Sequence, residues 1–148
     1  MDVLLPIKPD FVNLIRNSHK NCAGRGKRRE FRKKIPKKYQ LGDRIFIYES
    51  FPTKRIVGYF RSHEITQDTP KKLWAKYHAE SGLTEEWFFR YFAGCAIGFA
   101  ISIDELRFFS SPVDPNVYKK GYRGPQAYSY VDSALANTIL YHAYFRKQ

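Results

Sequence analysis

The sequence predicts one mixed α+β domain, built from short strands and flanking helices around a small, barrel-like sheet. Three observations lead there. Five or six short β-prone runs alternate with segments of helical periodicity, a pattern that segregates helices around a sheet. The chain has 148 residues, enough for a single core and too few for two. Its composition is 43% hydrophobic and 27% charged, with no apolar run near the ~20 residues that cross a bilayer, so a globular and not a membrane-embedded chain is expected.

The apolar run Val3 to Ile7 reads as a first buried strand. Pro9 then opens a helix to about Ser18, with Phe11, Leu14 and Ile15 at one-face spacing. His19 to Gly26 reads as a polar loop. Lys27 to Lys34 has no helical stripe and runs into Ile35-Pro36, which predicts an extended strand at a sheet edge or cleft. Leu41-Gly42-Asp43 turns into a compact strand, Arg44 to Ser50, and Phe51-Pro52-Thr53 returns the chain into a longer strand, Lys54 to Thr66. Gly58 in that strand marks a bulge or a close approach. A helix is expected from about Pro70 to Ser81, stopping at Gly82, and another from the N-cap Thr84 to Gly94. Strands at Ala96 to Ile103, placing Cys95 and Gly98 at a buried strand, and at Leu106 to Phe109 follow. After a long loop, Tyr128 to Val131 is extended. Asp132 caps a last helix to about Phe145, whose inward stripe is Leu135, Ile139, Leu140 and Ala143.

Charge gives the first indication of function. Twenty-six lysines and arginines against 14 acids make the chain +12, in the range where polyanionic partners are expected. Residues 16–38 hold eleven of those bases against Glu30 alone, a net +10, leaving +2 for the rest. Such concentration argues for a local binding face; a solvated basic loop accounts for the same charge. The 11 tyrosines and 12 phenylalanines supply a core and, beside a basic stretch, also suit base stacking. Within this stretch, period-two alternation sends Arg28, Glu30 and Arg32 to one face and Lys27, Arg29 and Phe31 to the other. An acid between two bases orients Arg32 for phosphate or accepts from a base N–H, and a simple fold-stabilising ion pair is the equal alternative.

The ordered set Ile7-Lys8-Pro9, Gly26-Lys27, Glu30-Phe31-Arg32, Leu41-Gly42-Asp43-Arg44 and Ile47-Tyr48 resembles the ASCH (activating signal cointegrator homology) domain of the PUA-like superfamily. Ile56-Val57-Gly58, Leu73-Trp74, Glu86 to Gly94, Ala100-Ile101 and Pro125 to Tyr128 extend the likeness over roughly residues 3 to 131. The resemblance implies a small PUA-like β-barrel with flanking helices, one domain over residues 1–148, with the helix at about 132–145 as an appendage. It also implies a cleft for RNA or a modified nucleoside, with Lys8, Lys27, Glu30 and Arg32 around it, Tyr48 and Ser50 at the end of the next strand, and Gln126 on the late loop. The loop His19 to Arg25 is longer and more basic than the usual link. One branch of the family resembles amidohydrolases of acylated cytidine, whose set is a Lys after Gly, a Thr three residues on and a distant Glu. Lys27 matches the first, but Glu30 stands where the Thr would be.

The leading expectation is therefore an RNA-binding or single-stranded nucleic-acid-binding domain, with Lys8, Arg25, Lys27, Arg28, Arg29, Glu30, Arg32, Lys33, Lys34, Tyr48, Ser50 and Gln126 at the interface. An enzyme acting on RNA or modified nucleosides, using Lys27 and Glu30 as proton-transfer groups, is the alternative. A protein-interaction module using Tyr141 and Tyr144 is the third class. No cofactor and no metal are expected: His19 and Cys22 have H-x-x-C spacing without a second pair, and His63, His78 and His142 read as surface or helix residues. Two cysteines and no basic leader or cleavage site suit a reducing, cytoplasmic setting, and a monomer without membrane partners is expected.

Overall fold

The computed structural model describes residues 1–19 and 26–145; Arg25 and the Cys22 of the H-x-x-C spacing lie outside them. Its order is β1 (Asp2–Ile7), α1 (Pro9–His19), β2 (Arg29–Arg32), β3 (Arg44–Glu49), β4 (Arg55–Arg61), β5 (Ile65–Asp68), α2 (Pro70–Tyr77), α3 (Glu85–Tyr91), β6 (Gly98–Ser102), β7 (Asp104–Val113), β8 (Ser129–Val131) and α4 (Ser133–Tyr144). A single 3-10 turn, His78–Glu80, follows α2, and another covers Pro115–Val117.

The α+β class holds, but the barrel is not closed. The strands form a five-stranded sheet, β7-β4-β3-β1-β8, and a separate three-stranded sheet, β2-β6-β5. The run 54–66, expected as one strand, breaks at Ser62–Glu64, and its halves enter different sheets. The chain also changes sheet between β6 and β7. Both crossings meet at one corner, where buried Ser62 and Ser102 share a hydroxyl hydrogen bond of 3.0 Å and the Ser102 hydroxyl donates to Asp104 at 2.6 Å. These hydroxyl bonds serve polar groups that would otherwise be buried unpaired at this corner.

Alternation sorts the strands' side chains into two cores. Val3, Leu5 and Ile7 of β1 face Ile45, Ile47, Phe60 and α1, while Leu4, Phe46, Tyr48 and Ile56 face α4 on the opposite side of the larger sheet. A third cluster, Phe31, Leu73, Tyr77, Phe88, Phe92 and Ala100, holds α2 and α3 against the smaller sheet. Helix α4 buries Ala136, Ile139, His142 and Ala143, with Leu135 and Leu140 half-buried, so its inward face is rotated slightly from the expected stripe. Each fully buried aliphatic side chain contributes about 1.5–3 kcal/mol, so Ile139 adds to the core that α4 covers. Gly58 sits at a β-bulge where a Cβ would stand 2.1 Å from the Arg107 carbonyl, the close approach its position predicted. Cys95 lies in the turn before β6, half-buried, and not in a strand. No described helix is long and apolar enough to cross a membrane.

Candidate functional site

The site begins where the expected strand 27–34 fails to form completely. Residues 26–28 leave the ladder: the Lys27 N–H donates to the Leu14 carbonyl at 3.1 Å and the Arg28 N–H to the Glu80 carbonyl at 2.9 Å. Glycine makes this path possible. Gly82 adopts φ +66°, and a Cβ there would stand 3.1 Å from the Lys27 Cβ. Lys27 therefore turns inward beside Glu30, against the alternation that had put it on the opposite face, and is only 1% exposed.

Its amine donates to the Ser81 carbonyl at 3.0 Å and lies 3.4 Å from Glu30 Oε1. Glu30 Oε2 accepts from Arg32 Nη2 at 2.6 Å and Nε at 3.1 Å, and Arg32 Nη2 also donates to the Pro6 carbonyl at 2.8 Å. Both carboxylate oxygens are thus engaged within the chain. The sequence left open whether Glu30 orients Arg32 or reads a base; this geometry favours orientation. A guanidinium has five N–H donors, and the two on Arg32 Nη1 meet no acceptor among the described residues. Burial holds the Lys27 amine below the usual lysine range, only partly offset by the Glu30 carboxylate. Burial also pushes Glu30 upward, but the Arg32 and Lys27 charges overcome it, leaving the carboxyl below its usual value. Glu30 stays ionised, and Lys27 holds its proton less firmly than an exposed lysine does.

This network opens into a cavity of about 190 Å³ with aromatic walls. Phe11 of α1 and Phe31 of β2 each lie 5.5 Å from the Lys27 nitrogen, while Trp87 and Tyr91, one turn apart on α3, stack at 5.3 Å and 12°. Thr84 caps α3 by accepting the Trp87 N–H at 3.1 Å, which fixes the helix that carries that wall. Lys8 is exposed on the cavity rim. The volume is below the roughly 300–1,000 Å³ of sites for drug-sized ligands, so it has room for one ring system and not for a whole nucleotide.

Not every expected residue reaches this cleft. Lys33, Lys34 and Gln126 line an adjoining hollow. Arg28 is exposed in a shallow depression with Ile15 and Leu106. Arg29 points elsewhere, donating to Glu64 at 2.8 Å and Glu80 at 2.7 Å with its guanidinium over the Tyr77 ring. Tyr48 is buried in the second core, because alternation along β3 turns it away from the Ile47 side. Ser50 caps the end of β3 by donating from its hydroxyl and N–H to the Ile7 carbonyl. Sequence reasoning missed Phe11, Trp87 and Tyr91 as cleft residues. Their helical spacing was visible, but it gave no sign that the packed face would leave an edge open.

Two sheets meeting at a polar corner, with four helices in this order and a cleft beneath β2, make up a fold shared with solved ASCH structures. The crystal structure of the ASCH protein from Zymomonas mobilis superposes with a TM-score of 0.80 at 23% identity, covering 94% of this chain and 93% of that one. A serine-to-alanine variant of it gives the same score, covering 94% of each chain. An "ASCH domain-containing ribonuclease" of Zymomonas mobilis is 30% identical over 93 residues, 63% of this chain. That match spans 57% of the relative's length. No family model matches the chain. The chain thus has the fold of these ASCH proteins, in keeping with the resemblance carried by its ordered motifs.

Proposed function

We propose that the chain binds RNA, taking a base into the aromatic cavity and meeting the backbone phosphates with Lys8, Arg32, Lys33 and Lys34. The observation that carries the reading is the Arg32 guanidinium. It is fixed by Glu30 and Pro6, keeps two N–H donors on Nη1 unused among the described residues, and stands beside a ring-sized cavity walled by aromatics. A pre-aimed donor pair beside a stacking surface is what recognition of an unstacked base and its phosphate requires. The concentrated positive charge and a relative named as a ribonuclease support RNA as the polyanion. Titration with RNA and with duplex DNA at rising salt is the test. Affinity for RNA falls linearly in log–log form as counterions are released, and no binding of any nucleic acid at low salt would remove the reading.

A second reading is favoured by one specific observation: Lys27 is a buried amine of lowered pKa lining the cavity, suited to exchanging a proton with a bound ligand. Lys27 then serves as acid–base group in RNA cleavage, with Arg32 stabilising charge on the phosphate. Incubation with RNA and with acylated nucleosides decides it. Product formation that is lost in a folded Lys27→Met variant supports catalysis, and no product from either leaves binding alone.

A further inference from the structure

The cleft does not stop at Arg32. Arg32 and Tyr91 also form one wall of a second hollow of about 390 Å³, which occupies the gap where the two sheets fail to close. Its floor is aliphatic and comes from both sheets: Val3, Leu5 and Ile45 from the larger, Ile65 and Ile101 from the smaller. Its mouth is of different chemistry. Lys33 and Lys34 stand there with the Gln126 amide and the Tyr128 ring, and no carboxylate among the described residues lines the hollow. The Lys33 nitrogen lies 4.9 Å from the centroid of the Tyr91 ring that divides the two cavities.

We propose that this hollow is a second nucleobase site, so that the domain reads a dinucleotide step of single-stranded RNA, with the linking phosphate at Arg32 and Lys33. The inference rests on the RNA reading above and specifies the substrate. The hollow lies within the size range of small-ligand sites, and such sites combine an apolar body with a few polar groups that fix orientation. The aliphatic floor desolvates the faces of a base, while the Gln126 amide offers one donor side and one acceptor to its edge. A basic mouth without acids suits a phosphodiester. What favours a nucleotide over another small anion with an apolar body is continuity: the two cavities share a wall, and that wall carries the unused guanidinium donors. Adjacent bases in a helix stay stacked on one another. Two cavities separated by side chains admit them only when they are splayed apart, as in single strands, loops and bulges.

Calorimetry at low salt with adenosine monophosphate, the adenine dinucleotide, and the two dinucleotides lacking one base tests this. The intact dinucleotide binds about tenfold more tightly than either abasic form, although all three carry the same linking phosphate. Ala127 lines the same mouth, and Ala127→Trp, which narrows it, lowers the intact dinucleotide to the affinity of the abasic forms. Equal affinity of intact and abasic dinucleotides for the parent protein, with the monophosphate still bound, overturns the second site and leaves the RNA reading standing. So does a dinucleotide advantage that survives Ala127→Trp. If neither the monophosphate nor any dinucleotide binds, the RNA reading falls together with this one. Should Ala127→Trp not fold, the abasic comparison on the parent protein decides alone.

Discussion

Glu30 is the residue on which the cleft's electrostatics turn. It is 6% exposed between two cations, and removing its charge leaves Lys27 and Arg32 facing each other without a counter-ion. Glu30→Gln therefore destabilises the protein by about 3 kcal/mol at neutral pH, the cost typical of breaking a buried pair by deleting one partner. The sign of the pH dependence follows from the lowered carboxyl. The stabilisation is present above the unfolded glutamate value of about 4.3 and is lost as pH falls through the lower folded value. Urea unfolding of parent and variant should show the gap closing in acid. Lys27 acts in the opposite range. Its amine is held below the lysine norm, so the unfolded chain binds the proton more tightly and this residue's contribution to stability rises with pH up to about 10.4. Arg32→Lys keeps the charge but loses the fork that contacts Glu30 twice. We expect RNA affinity to fall about tenfold with little change in salt slope, measured by fluorescence anisotropy at several salt concentrations.

At the scale of elements, the cleft depends on how α3 is held. Thr84 accepts the N–H of Trp87, a wall residue, so Thr84→Ala costs about 1 kcal/mol and lowers the melting temperature by roughly 2–4 °C. Weaker RNA binding should accompany the lower melt, because the same helix carries Tyr91. The caps Thr84 and Asp132, the Pro9 start and the Gly94 stop were legible in sequence because each is a local chemical signal read within a few residues. The break at Ser62–Glu64 was not. Nothing local interrupts the β-prone run, and the bend is fixed by Ser102, forty residues away. Lys27 was legible as a site residue but not by its orientation: alternation assumes a strand, and the path there is set by Leu14, Glu80 and Gly82.

Across the whole molecule, the charge cluster divides by task in a way composition alone does not reveal. Lys27 and Arg32 serve the cleft, Arg29 holds Glu64 and Glu80, and Lys33 and Lys34 stay exposed beside the hollow. Lys34→Ala should weaken binding to all RNA sequences alike and flatten the salt slope by about one unit, read from titrations at four or five salt concentrations. Arg28→Ala, at an exposed position outside the cleft, should change the slope less. The α+β class followed from periodicity, but eight strands are described where five or six were expected, and whether the sheet closes depends on long-range pairing. That same failure to close leaves the hollow beside the cleft. The most direct measurement of the central claim uses Trp87 as a reporter, because it lines the cavity while Trp74 does not. In a Trp74→Phe background, single-stranded RNA should change Trp87 fluorescence saturably, with the affinity found by anisotropy and a loss of signal at high salt. RNA that binds by anisotropy without altering Trp87 emission, or that does not bind at all, would contradict the assignment of this cleft.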